Sequence, residues 1–291
     1  MPLLAITLAL LGAVFLAFGA QRQGSAVRAD TGGLTLSSSG FSRLLVNPRW
    51  LFGLVLLAAG MALNVAALAL ASLTVVQPIG AIALVITTVV NARDQGIRIN
   101  RPTVAAIAAC VIGSAAFVLL AVTATRGNHT IDAARELSVV LLLTIAVVLF
   151  GSLAVLGRHR LNAFAYVIGA GVLFGFVAVL TKITAGHLLD TNGRFLHNVP
   201  PLTLVALVAA AALGSWFVQS AYATGPPDLV IAGLTVIDPI VGICVGIMIL
   251  DELRADVPAV TTLGMGAAAL IAIVGVVALS RHHPDVVKRQ R

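Results

Sequence analysis

Residues 234–240, LTVIDPI, place a carboxylate and a helix breaker, Asp238 and Pro239, at the centre of a stretch otherwise apolar from Leu229 to Leu250. Residues 73–79, LTVVQPI, repeat the pattern with Gln77 where the acid stands. Proline has no N–H, and its ring collides with the preceding turn. Pro239 therefore deprives the Thr235 carbonyl of its helical donor, and Pro78 does the same to Thr74. Freed carbonyls beside an acid or an amide are oxygen donors suited to binding a cation or exchanging a proton. An Asp at the middle of a bilayer costs about 2.5–3.5 kcal/mol on insertion scales. The functional reading is that Asp238 lines a water-accessible cavity; the plain alternative is a protonated acid bonded to a facing backbone. Asn64 and Gln219, with Gln77, add amides at related positions of the two halves. Singly each reads as interhelical glue, and together they describe a central site. Lys182, late in its apolar run, either snorkels to the interface or supplies a counter-charge to that site.

The elements that must position these residues are membrane helices. The chain of 291 residues is 59% hydrophobic and 10% charged, with a mean hydropathy of +1.07, too apolar for a soluble domain. Its apolar residues fall into runs long enough to cross a ~30 Å hydrocarbon core as helices. We count nine spans, at 2–20, 50–71, 75–91, 103–124, 137–156, 163–185, 201–223, 229–250 and 259–280. The runs are continuously apolar rather than alternating, which excludes a barrel. With the N-terminus outside, the loops and tail on the cytoplasmic side carry thirteen Lys and Arg against four in the opposite loops. That bias sets the orientation, with the C-terminus cytoplasmic.

The two motifs belong to a repeat. Residues 70–93 laid without gaps over 231–254 agree at nine of twenty-four positions, including Thr74/Thr235, Pro78/Pro239 and Arg93/Arg254. By the charge count the matched spans run in opposite senses. The chain therefore divides into a first inverted repeat (1–124, helices one to four), a connecting helix (125–162), a second repeat (163–281, helices six to nine) and a basic cytoplasmic tail (282–291). Inverted repeats are a device of secondary transporters, whose two halves have near-equivalent packings around a midplane site.

Other classes are excluded or carry less. The net charge of +7 lies at topology-setting positions, so membrane lipid is the expected partner and nucleic acid is not. There is no GxxxxGK[ST], HExxH or GxSxG, and the six His fall in loops or the tail, so no enzyme is expected. Cys110 and Cys244 lack metal-type spacing and read as packing residues. Residues 1–20 lack a basic leader, which favours a retained span over a cleaved signal. The acids Asp251, Glu252 and Asp256 read as a solvated outer loop. Asn128-His129-Thr130 is a glycosylation sequon, set aside because the Ala/Val/Leu-rich, Arg-over-Lys composition points to a bacterial plasma membrane.

The stretch AYATGPPDLVIAGLTVIDPIVGICVGIMILDELR (221–254) resembles the EamA-type signature of the drug/metabolite transporter superfamily, with Glu252 matching its closing Glu-x-x. FGFVAVLTK (174–182) is similar to the Gly-then-Lys helix of that superfamily, through Gly175 and Lys182. GMALNVAALALASLTVVQPIGAIALV (60–85) resembles the second and third helices of the nine-helix NIPA branch, with Asn64, Pro78 and Gly80 in place. The resemblance implies a transporter associated with magnesium. One departure is Met61, where NIPA proteins carry Glu. With Asp238 as the sole deep acid, a dication that keeps water and one or two carboxylates is poorly served. The expectation is thus secondary transport, gradient-driven or passive, of a small solute such as a metabolite, amine or divalent cation by alternating access, with a proton or Mg²⁺ as the coupling or transported ion and no cofactor. A homodimer is allowed. The rivals are a flippase for lipid-linked intermediates and a non-transporting membrane scaffold.

Overall fold

The computed structural model describes residues 2–31, 38–70, 82–94, 96, 99–125, 132–156, 161–189 and 200–282. Among them the regular structure is helical, with no strand beyond one isolated bridge between Thr125 and Leu253. The helices are α1 (Pro2–Thr31), α2 (Ser38–Leu44), α3 (Pro48–Leu70), α4 (Ile82–Asp94) and α5 (Arg101–Ala124). They continue with α6 (Ala133–Leu156), α7 (Ala163–Leu189), α8 (Pro201–Thr224), α9 (Pro227–Met248) and α10 (Ala259–His282). Helices are what an apolar chain must form in lipid, where each backbone N–H needs a partner within its own segment.

Among the described residues seven helices are long and apolar enough to cross a membrane: α1 and α5 to α10. The other two expected spans fall on α3 and α4, whose qualifying stretches Pro48–Asn64 and Leu84–Arg93 are shorter. Thr74, Gln77 and Pro78, with Gly80, lie outside the described residues. One boundary differs clearly from expectation. The first helix does not end at residue 20 but runs to Thr31. Its polar continuation is buried on one side, through Gln21, Gln23 and Val27, so packing rather than hydropathy sets its length.

Small residues let the helices approach closely. A Cβ on Gly12 would lie 3.0 Å from the Gly60 carbonyl, and one on Gly19 would lie 2.9 Å from that of Gly53, so α1 and α3 touch backbone to backbone. On the α5–α10 contact, a Cβ on Gly113 would stand 2.5 Å from the Ala272 nitrogen, and one on Gly275 would stand 2.6 Å from that of Cys110. Such faces replace the hydrophobic drive that helices lack in lipid. The most extensive helix pairs are α1 with α3, α5 with α10, α7 with α8, and α7 with α9. The largest buried cluster joins α6, α7, α8 and α9, where Tyr166, Trp216 and Phe217 meet edge to face. On α6 the exposed side chains Leu141, Ile145, Val148 and Leu149 share one face, as a lipid-facing surface requires.

Candidate functional site

The site is built on α9. Pro227 opens this helix and Pro239 interrupts it. The Thr235 carbonyl freed by Pro239 accepts a hydrogen bond from Ser114 Oγ of α5 at 2.8 Å, and Thr235 Oγ1 donates to the Ile231 carbonyl at 2.8 Å. A hydroxyl from a neighbouring helix thus answers the missing donor, and this helix-break carbonyl is already engaged. On the other side, Gly171 and Gly175 of α7 make room for Ile237 and Val241 of α9. A Cβ on Gly175 would sit 3.0 Å from the Asp238 carbonyl, so the two helices pack closely beside Pro239.

Beside Pro239 lies a partly open cavity of about 320 Å³, walled by α5, α7, α9 and the turn after α9. Its ionisable groups are Asp238, Lys182 and Glu252, and most of the remaining wall is aliphatic. Lys182 Nζ lies 2.8 Å from Glu252 Oε1. The Lys182 side chain, 41% exposed, thus stands beside an acid at the cavity wall.

Glu252 is the residue that sequence reasoning misplaced. It is not part of a solvated loop but is 8% exposed, whereas the side chains of Asp251 and Asp256 are 73% and 83% exposed. The cause is local backbone geometry. Asp251 takes a left-handed φ of 56°, and the Glu252 N–H donates to the Gly246 carbonyl at 3.1 Å, so the chain folds back over the end of α9. Gly246 leaves the space: a Cβ there would stand 2.8 Å from Glu252 Oε2. The Arg254 N–H donates to the Ala124 carbonyl at 3.0 Å and Arg135 Nη1 to the Leu250 carbonyl at 3.1 Å, tying the turn to α5 and α6. The signal available in the sequence was the glycine six residues before the acid, together with the matched Gly-then-Lys helix.

Of the expected amides, Gln77 lies outside the described residues, and the other two are not gathered around Asp238. Asn64 is half-buried on α3, and neither it nor Gln219 lines the cavity. Gln219 instead accepts from Trp50 Nε1 at 2.9 Å and donates to Gln23 Oε1 at 3.1 Å. This amide group belongs to a layer at the opposite end of α9, where α1 meets the start of α9 through Gly24 and Pro227. Asp228, fully buried in the first turn of α9, accepts from Asn91 Nδ2 of α4 at 3.3 Å. Asp228 is a second buried acid that hydropathy assigned to a loop, because it follows two prolines at a helix start. A helix N-terminus favours a carboxylate there. A further pair, His187 Nε2 and Glu136 Oε2 at 2.9 Å with Thr203 donating to Glu136, links α6, α7 and α8.

Among the described residues no three or more His, Cys, Asp or Glu cluster as a ready-made metal cage. What the cavity offers is looser: two carboxylates, one already paired with an ammonium, around a space that can hold water.

The family model for the magnesium transporter NIPA matches residues 2–188, which takes in α1 to α7 and Lys182 but stops short of Asp238 and Glu252. An uncharacterized protein of Corynebacterium glutamicum is 28% identical over 288 residues, spanning 96% of this chain and 95% of its own. No solved structure matches.

Proposed function

The chain belongs to the magnesium transporter NIPA family and is a multi-pass membrane protein, and from that premise we propose that it carries Mg²⁺ through the Asp238 cavity by alternating access. The observation that carries this reading is the convergence of a second carboxylate, Glu252, on the cavity of Asp238. Mg²⁺ dehydrates reluctantly and is commonly held by one or two carboxylates with several waters retained. At roughly 30 Å³ per water, six waters need about 180 Å³. The cavity of about 320 Å³ admits such an ion and sits at the small end of ligand pockets.

In this reading nine spans are arranged four, one, four, with residues 1–124 and 163–281 as inverted halves joined by 125–162. The paired packing supports it, since α1 lies against α3 as α7 lies against α8, and the last helices of the halves, α5 and α10, pack together. The charge bias supports an outer N-terminus, a cytoplasmic C-terminus and an outward-facing cavity mouth. The bacterial relative supports placing the protein in a bacterial plasma membrane. Pro78 and Pro239 are the hinges on which the halves rock, with Gln77 as the counterpart of Asp238. The aliphatic wall favours one second reading, a small organic amine exchanged for a proton at Asp238.

Purified protein in liposomes separates the two. Uptake of Mg²⁺ and of a panel of small amines is followed for wild type and Asp238→Asn, with and without an imposed pH gradient. Mg²⁺ uptake that falls at least about tenfold in the variant supports the proposal. Uptake of amines alone, driven by the pH gradient, replaces it with the second reading. Unchanged Mg²⁺ flux in Asp238→Asn overturns the cavity assignment.

A further inference from the structure

We infer that Lys182 is a built-in competitor for the cargo: its ammonium pairs with Glu252, and a dication entering the cavity must displace it to engage that carboxylate. The inference rests on the Asp238 cavity reading and adds the residue that sets charge selectivity and release.

The geometry distinguishes a displaceable ion from a structural staple. Glu252 is the fixed partner. Its backbone is tied to Gly246, its chain neighbours to α5 and α6, and its carboxylate packs over Gly246. Lys182 is the mobile partner, a long stem on α7 whose side chain is 41% exposed at the cavity while that of Glu252 is 11% exposed. A lysine is a strongly hydrated point charge with rotatable donors, without the planar fork that holds an arginine to a carboxylate. It can therefore retreat into water at the mouth without moving the helices.

Charge decides what displaces it. With the ammonium seated, the three ionised groups Asp238, Lys182 and Glu252 sum to one negative charge; with it withdrawn, a cargo ion faces two. A monovalent ion that takes the place of the ammonium beside Glu252 gains no more from that carboxylate than the ammonium already does. A dication gains about twice as much at equal distance, because Coulomb energy scales with the product of charges. Exchange thus selects dications. The same ammonium, returning to Glu252, weakens the bound state and speeds release. Removing it should tighten binding and slow transport, which is opposite to the effect of losing a ligand.

The test measures Mg²⁺ binding by calorimetry on the purified full-length protein, and Mg²⁺ flux in liposomes, for wild type, Lys182→Met, Glu252→Gln and Asp238→Asn. Lys182→Met is expected to bind Mg²⁺ about tenfold tighter or more, to discriminate less against Na⁺, and to carry a lower maximal flux. Glu252→Gln, which removes the second carboxylate, is expected to bind more weakly. Equal or weaker binding by Lys182→Met, with binding abolished in Asp238→Asn, overturns the competitor role and leaves the cavity reading standing. Should Lys182→Met fail to fold with Glu252 unpaired, Glu252→Gln decides: undiminished affinity there overturns the inference. Full Mg²⁺ binding by Asp238→Asn would instead defeat the cavity reading itself.

Discussion

The two ends of α9 use polar residues in opposite ways. At its start Asp228, Asn91, Gln23, Gln219 and Ser220 are each no more than 5% exposed, and Trp50 closes over the amides. At its end Lys182 and Glu252 stand on a partly open cavity. The overlay of 70–93 on 231–254 puts Asn91 and Glu252 in register, so one position of the proposed repeat carries a buried amide at one end and a cavity-facing acid at the other. What the difference teaches is that, under the proposed repeat, matched positions can carry either a buried polar contact or a cavity wall, and the residue type decides which.

Exchanging the chemistry of these two positions should break the comparison most. Asn91→Asp replaces the amide donor with a second carboxylate against the buried Asp228, and two like charges that close are strongly unfavourable. A large fall in melting temperature is expected, together with new labelling of this end by thiol reagents at an introduced cysteine. A variant as stable as wild type would mean the layer is not sealed.

The reverse exchange, Glu252→Asn, should leave folding near wild type while weakening Mg²⁺ binding, as read by titration. Gly246→Ala sharpens the same point without touching a charged group. Its Cβ would meet Glu252 Oε2 at 2.8 Å, displacing the carboxylate and weakening Mg²⁺ binding by roughly fivefold to tenfold, about 1 kcal/mol. Unchanged affinity would show that the position of Glu252 is immaterial. The smallest effect is expected from Ser114→Ala, which removes the donor to the Thr235 carbonyl and should cost about 1 kcal/mol in thermal unfolding.

How far the sequence could be read follows the range of the interactions. Helical spans, and an acid beside a proline within one of them, are local or compositional, and each is visible in the order of residues. Glu252 was not, because its burial depends on the left-handed Asp251 and on the void at Gly246, neither of which hydropathy registers. Gln219 was recognised as polar and buried, but its partners Trp50 and Gln23 lie 169 and 196 residues away in the chain. The extension of α1 to Thr31 was hidden for a similar reason, since Gln21 and Gln23 look like loop residues until a neighbour covers them.

Thiol protection at the cavity wall tests the central claim most directly. Ala178 lines the cavity one helical turn from Lys182, so Ala178→Cys in a Cys244→Ser background places a single reactive thiol there, Cys110 being buried. In vesicles of known orientation, a membrane-impermeant reagent should label this cysteine from outside. Mg²⁺ should slow the labelling severalfold when Asp238 is present and not at all in Asp238→Asn. Labelling that Mg²⁺ leaves unchanged in the presence of Asp238, or that proceeds only from the cytoplasmic side, would contradict the account.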